Sequence, residues 1–369
     1  MARNRVIYQS EALYVSENAA SIAAIRHEQL EKVQSANLSY TINRQDINQF
    51  GELARIDSVI MDPPTVSTDF SYYLADGFNE RALGFYVQTG SGGAGGVNSA
   101  AGQFASGHMV STSGKNVFLV TGPEGKDMVG ESIADSTDTA IGIGNCYVSD
   151  YSVDLSVGSI PTVSVSMEGA NVRGDTTAGG IGTPAIDQEA GTAMAGNCLL
   201  STPTTGKSDI NALRPGDITF SLGSFQDETI YDLTGVSGLH IQSASINIPL
   251  SRTPLQRLGS RFPYAREVDF PVNVTMNISA LVNEADDFQL VDQLTQAQND
   301  ATITIKNKAG ANAVIYSIKG AKVDSESVST TIGSNKTVDI TLSAQIGGTN
   351  DTSAGLFMSG SNGDTVFTA

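Results

Sequence analysis

Residues 33–51 and 241–259 are versions of one another. VQSANLSYTINRQDINQFG aligns without a gap on IQSASINIPLSRTPLQRLG, sharing Gln34/Gln242, Ser35/Ser243, Ala36/Ala244, Arg44/Arg252 and Gly51/Gly259. Leu38, Tyr40 and Ile42 fall opposite Ile246, Ile248 and Leu250. Apolar residues two apart mark a strand with one face buried. An internal echo constrains a fold more than any short motif does, because the second copy must be able to make what the first makes.

A second pair of segments strengthens the echo. Val148–Gly169 lies opposite Val323–Ala344, with matches at Val148/Val323, Ser152/Ser327, Val153/Val328, Gly158/Gly333, Ser159/Ser334, Thr162/Thr337 and Val163/Val338. Each segment is two alternating runs around a Gly-Ser turn, a hairpin signal. The order between these anchors is kept. Val66, Thr68, Phe70 and Tyr72 answer Val272, Val274, Met276 and Ile278. Asn79-Glu80 answers Asn283-Glu284 at a helix start, and VFLVT (117–121) answers TITIK (302–306). The offset between partners falls in order through 208, 206, 204, 185 and 175 residues. The first copy therefore carries insertions, placed at 90–114 and 126–145, both rich in Gly, Ser and Ala as surface loops are.

The remaining segments follow from turn and helix signals. Residues 2–15 read as an extended arm, and 16–34 as a short helix capped by Ser16, with Ile22, Ile25 and Leu30 on one face. Asn283–Asn299 is the clearest helix pattern, with Phe288, Val291 and Leu294 at helical spacing and acids in its first turn. Residues 171–213 are a Gly/Ala/Thr-rich linker, and 346–369 a polar tail. The domain reading is 1–170, the linker 171–213, then 214–345 and the tail.

Composition excludes several classes. No apolar run is long enough to span a bilayer, and the first residues lack the continuous apolar core of an export signal. Cys146 and Cys198 make no disulfide framework and read as two thiols. A net charge of −18 repels phosphates, which disfavours ordinary nucleic-acid binding, though not a protein that surrounds DNA without holding it. No cofactor is expected. Gly90–Gly95 fits GxGxxG, but neither a helix nor a suitably spaced acid follows it. Gly206-Lys207-Ser208 lacks the first glycine of a phosphate loop. His27, His108 and His240 stand apart without metal-ligand spacing, and there is no nucleophile elbow. The chain reads as a non-enzyme.

The connections after the repeated strands are more informative. Residues 43–62 carry Arg44 and Arg55 against Asp46, Glu52, Asp57 and Asp62. Residues 251–266 carry Arg252, Arg257, Arg261 and Arg266 and no acid. Twin loops of opposite sign suit either two solvated hairpins or two loops that meet different surfaces of a neighbouring copy.

Lys32–Leu74, KVQSANLSYTINRQDINQFGELARIDSVIMDPPTVSTDFSYYL, with the opening RNRVIYQSEALYVS, resembles the major tail tube proteins of long-tailed bacteriophages. The resemblance is carried by about the first ninety residues and reaches the second copy through the repeat. It implies a mainly β fold: two tandem tail-tube-type β-sandwich or barrel domains, each with one flanking α-helix and a long stacking loop. It implies assembly loops at Arg44, Asp46, Phe50, Gly51, Glu52, Arg55 and Asp57, and at Arg252, Arg257, Leu258, Gly259, Arg261 and Arg266. It also implies a structural virion protein, located in the tail and made in the host cytoplasm, whose partners are itself, the tape measure, terminator and baseplate proteins, and double-stranded DNA passing through without specific binding. Rings of the family are commonly sixfold, so a doubled chain is expected to close as a trimer. A tail terminator or baseplate tube protein is the alternative, and a carbohydrate-binding adhesin of two β-sandwiches a further one. With no Trp, the sequence offers that adhesin few aromatic platforms.

Overall fold

The computed structural model describes residues 10–18, 27–89, 102–111, 114–122, 127–130, 133, 138–176, 180–198, 200–204, 213–222, 225, 229, 239–282, 298–349 and 351–361. The fold is mainly β. In the first part of the chain lie β1 (Glu11–Glu17), β2 (His27–Gln29), β3 (Val33–Thr41), β4 (Arg44–Ile47), β5 (Asp57–Ile60), β6 (Thr65–Tyr73), α1 (Phe78–Leu83), β7 (Gln88–Thr89), α2 (Ser106–Val110), β8 (Lys115–Thr121), β9 (Thr139–Ser156), β10 (Thr162–Gly169) and β11 (Asn171–Thr176). Four two-residue strands, β12 (Ile181–Gly182), β13 (Ile186–Asp187), β14 (Thr192–Ala193) and β15 (Asn197–Cys198), connect the parts. The second part holds β16 (Ile218–Ser221), β17 (Leu239–Pro249), β18 (Arg252–Leu255), β19 (Ala265–Val268), β20 (Asn273–Val282), β21 (Asn299–Lys306), β22 (Asn312–Ser329), β23 (Thr337–Gln345) and β24 (Gly355–Gly360).

Two four-strand groups share one order. The first runs β3-β6-β10-β9 and the second β17-β20-β23-β22, and β9 pairs with β17 to make one continuous sheet of eight strands. Register matches as well as order. Ser35 faces Ser71 and Ser243 faces Ser279, and both ladders slip by one residue at the same place, Gln34 in one and Gln242 in the other. Thr162 faces Asp154 and Thr337 faces Ser329, and these ladders also slip alike, at Ser149 and at Asp324. Bulges set local twist and bend, so the two groups are shaped alike.

The outer layers follow the same rule. The long strands β9 and β22 each leave the eight-strand sheet and continue into a second one. There β9 lies between β8 and β11, and β22 lies between β21 and β24. The two layers close over one apolar core that runs through both halves without a break.

Side-chain alternation produces this core. On β6 Val66, Phe70 and Tyr72 are buried while Asp69 is exposed; on β20 Val274, Met276, Ile278 and Ala280 are buried between Asn277 and its polar neighbours. The Gly-Ser turns sit where the repeat places them. Gly158 and Gly333 both adopt positive φ, and Ser159 and Ser334 donate from N–H to the carbonyls of Ser156 and Thr331.

Several expectations are corrected. Of the helix expected at 16–34, residues 19–26 lie outside the described residues; Ser16 lies in β1 and faces His27 of β2, and Val33 opens β3. Leu13 and Val15 enter the main core while Ala12 and Tyr14 enter a second cluster, so β1 is covered on both faces and shows no alternation to read. Residues 355–360 are no tail. Leu356, Phe357 and Met358 make β24 a wholly buried strand between β22 and β7. Part of the expected linker is structured too: 171–176 is an edge strand on β9, and Asn145 fixes 186 through both its amide oxygen and its amide nitrogen. Residues 139–145 belong to β9, so the second insertion lies between Thr121 and Thr139. Register gives a constant offset of 208 through β6 and β20, pairing Val66 with Val274, and an offset of 184 for β8 and β21, pairing Val117 with Ala301. The helix start at Asn79 is present as α1. The helix expected at 283–299 lies outside the described residues except for its end, where Asn299 opens β21.

Candidate assembly interface

The seam between β9 and β17 is a junction between unlike ends of two like groups. Val153 faces Ile246, Tyr151 faces Ile248 and Leu155 faces Ala244, and all six are buried. A buried polar cluster sits behind it. Tyr72 donates its hydroxyl to Glu80 Oε1 at 2.9 Å, Tyr151 donates to the same oxygen at 3.3 Å, and the hydroxyls of Tyr151 and Tyr316 lie 2.9 Å apart. Tyr316 comes from β22 and the others from the first half, so the cluster ties the halves together. Burial is the main cause that lifts the Glu80 carboxyl to about 7, and it also raises all three phenols. Gln103 completes the tie by donating to the carbonyls of Gly348, Asp351 and Ala354.

The outer members of the eight-strand sheet are differently placed. On β3, the twin of β17, Tyr40 is 63% exposed and Leu38 half-buried. On β22, the twin of β9, Val328 is 40% exposed. Their seam counterparts Ile248, Ile246 and Val153 are fully covered. The same residues in the same register thus have a partner at one place and none at the other among the described residues.

Two hairpins project beside the sheet. β4 pairs with β5 from Arg44/Ile60 to Ile47/Asp57, and β18 pairs with β19 from Arg252/Val268 to Leu255/Ala265. Even the closing bonds match: Ile56 N–H to the Ile47 carbonyl at 2.9 Å, and Tyr264 N–H to the Leu255 carbonyl at 3.0 Å. Gly51 and Gly259 take φ of 97° and 87°, a left-handed turn that favours glycine.

Their surroundings differ. The second hairpin is held by three arginines against the first half and the connection that follows it. Arg252 donates to the carbonyls of His108, Ser111 and Arg266, and its guanidinium lies 4.5 Å from the centre of the Tyr147 ring. Arg266 reaches the Gly169 carbonyl at 3.4 Å and Glu168 at 3.9 Å, and Arg257 reaches the Glu189 carbonyl at 2.6 Å. Burial lowers the pKa of Arg252, first among the causes. Leu258, at the tip, remains exposed, as does Arg261. The first hairpin is exposed throughout except at Ser58, and its one ion pair, Arg55 to Asp46 at 2.9 Å, is internal. Phe50 and Leu53 are fully uncovered; Glu52 and Asp57 face solvent.

The solvent face of the eight-strand sheet has its own chemistry. One row across it reads Tyr73, Thr162, Asp154, Ser245, Asn277, Thr341, Ser325, and the next Ser71, Ser164, Ser152, Asn247, Thr275, Ser343, Lys322. Asp69, Asp150, Glu168 and Asp339 stand on the same face, so five acids meet one lysine within these strands. An open depression of about 550 Å³ lies there, bordered by Asp154, Ser245, Asn277 and Asp339. The alternation pattern identified this face in the sequence; which of its residues are acidic becomes clear only once the registers are fixed.

Among the described residues no group of three or more His, Cys, Asp or Glu side chains is placed to hold a metal ion. The glycine-rich 90–95 and 206–208 segments lie outside the described residues. His108 is buried against Phe85, and burial depresses its pKa to about 3, so it is a neutral packing residue at neutral pH. Cys146 and Cys198 are free, buried thiols. Comparison with protein-family models and with curated protein sequences returns no match.

Proposed function

We propose that this chain is a duplicated tail tube subunit: three copies close into a pseudo-sixfold ring, and rings stack into a conduit through which double-stranded DNA leaves a phage particle. The halves are two tube-type domains, each with a long hairpin directed at neighbouring subunits. The protein is a structural virion component, in contact with itself and with tape measure, terminator and baseplate proteins, and it catalyses no reaction.

The observation that carries this reading is the eight-strand sheet. It is apolar on one side, clothed in Ser, Thr and Asn with scattered acids on the other, and among the described residues no strand pairs with the outer edge at either end. A sheet with core on one face and water on the other suits the wall of a bore. Strands about 4.8 Å apart, twenty-four in a closed trio, give a circumference of roughly 115 Å and a backbone diameter of roughly 37 Å before tilt widens it. Small polar side chains leave room inside for a duplex. Asp69, Asp150, Asp154, Glu168 and Asp339 would repel its phosphates, so that it slides without sticking.

Electron microscopy of the purified protein tests the reading. Rings or tubes with a hollow centre are expected, with three chains per ring by mass. Lone compact particles at high concentration overturn it. Single rings that never stack favour a terminator instead. Arg257→Glu with Arg261→Glu should shorten or abolish stacks while rings persist.

A further inference from the structure

Each contributor to the internal seam has a twin on an open edge. The twin of β17 is β3, and the twin of β9 is β22. We infer that a second copy of this chain docks there, its β3 pairing antiparallel with residues 325–329 at the end of β22 in the register of the internal seam. Transferred residue by residue, Leu38 stands opposite Val328 as Ile246 stands opposite Val153. Asn37 then faces Ser329, Ser39 faces Ser327 and Tyr40 faces Glu326. This builds on the self-assembling reading above, to which it adds the joining edges and their register.

Three observations fix the occupant as this chain. The surfaces that meet at the seam recur on the open edges with the same bulges, so the geometry that makes one junction is present for the next. The apolar residues left exposed, Tyr40 and Val328, and the half-buried Leu38 are those whose twins the seam buries. The edges are also complementary head to tail, so each docking leaves another pair open until the series closes on itself. The hairpin clamp does not carry over: the twin of Tyr147 is Lys322, which offers Arg44 no ring. The inference is therefore confined to the strands.

Hydrogen-bond phase supplies the test. Across the seam Val157 donates to the Gln242 carbonyl and Leu250 donates to the Ser149 carbonyl. Those pairs lie on the bonded set, so the pairs on the polar face, two of which are Ser152/Asn247 and Asp154/Ser245, are non-bonded ones with Cα atoms about 4.5 Å apart. Cysteines fit such a spacing. A chain carrying Ser39→Cys and Ser327→Cys should give reducible chain-to-chain disulfides on mild oxidation. A chain carrying Ser35→Cys and Ser325→Cys should give none, because the transferred register separates those two by about 20 Å. Both exchanges are near-isosteric on exposed residues, and the two native thiols are buried. Links in the second variant but not the first overturn the inference. Hollow assemblies that never link through 39 and 327 also overturn it, and leave the conduit reading standing. Links through 39 and 327 in a protein that forms no hollow particle support the junction and count against the conduit. A chain that stays single and unlinked at high concentration refutes both.

Discussion

The hairpins at 44–60 and 252–268 have the same span, pairing and glycine, yet one is clamped and the other stands free. The clamp lies outside the hairpins. The carbonyls that receive Arg252 belong to His108 and Ser111, and the one that receives Arg257 belongs to Glu189. His108 and Ser111 lie in a stretch inserted in the first half and Glu189 in the connection between the halves, and the second half matches neither in sequence. Identical local structure therefore takes on different surroundings according to what was inserted beside it. The same holds for the strands: β17 and β3 differ less in themselves than in having β9 beside one and, among the described residues, no strand beside the other.

Substitutions at twin positions test that contrast directly. The largest difference is expected between Val153→Asp and Val328→Asp. A carboxylate at 153 enters the core without a partner and should cost roughly 3–5 kcal/mol, enough to unfold much of the protein in a denaturant titration. At 328 the same change should leave the single chain folded and remove its self-association, read by sedimentation. Ile246→Ala should cost about 2–5 kcal/mol as a buried deletion, whereas Leu38→Ala should cost under about 1 kcal/mol in the unassembled chain. Equal losses at the twins would show that the outer edges are already covered in the single chain.

The Glu80 cluster at the seam predicts a pH effect. A carboxyl whose folded pKa is raised holds its proton longer in the folded state, so the stability it contributes is present at low pH and lost as pH rises toward 7. Taking about 7 against the ordinary carboxyl value of 4.5, the stability of the unaltered chain relative to Glu80→Gln should fall by about 3 kcal/mol over that window. Urea titrations of both proteins from pH 4.5 to 7.5 measure it. The difference removes the opposite slope from His108, whose depressed pKa lets acid destabilise the fold. A flat difference would mean that Glu80 reaches water. The smallest effect concerns the clamp: Arg252→Ala should cost about 1–2 kcal/mol through its ring and carbonyl contacts, and Arg44→Ala within about 0.5 kcal/mol.

Much of this arrangement is legible in the residues themselves. Strands with one wet face, such as β3, β6, β10, β17, β20 and β23, announce themselves by alternation, and the Gly-Ser turns fix two hairpins. What escapes is what alternation does not encode. β1 is covered on both sides, by the main core and by the second cluster, so its apolar residues show no alternation to mark it as a strand. β24 is short and follows a polar loop, so its apolar core of Leu356, Phe357 and Met358 is easily passed over. The slip from 206 to 208 at β20 keeps every side chain on its correct face, which is why pattern alone does not detect it. The hairpins at 44–60 and 252–268 are marked in the sequence by charge and repeat, but the clamp on Arg252 and the Glu80–tyrosine cluster join residues far apart in sequence and leave no local signal.

The bond between β9 and β17 is formed within one polypeptide, at an effective concentration in the millimolar range or above and independent of how much protein is present. Dilution can therefore loosen only contacts between separate molecules, at most every second join around a closed circle. In the ring proposed above, whole molecules would add their lobes two at a time. A circle with an odd number of lobes is out of reach, whatever the conditions of growth.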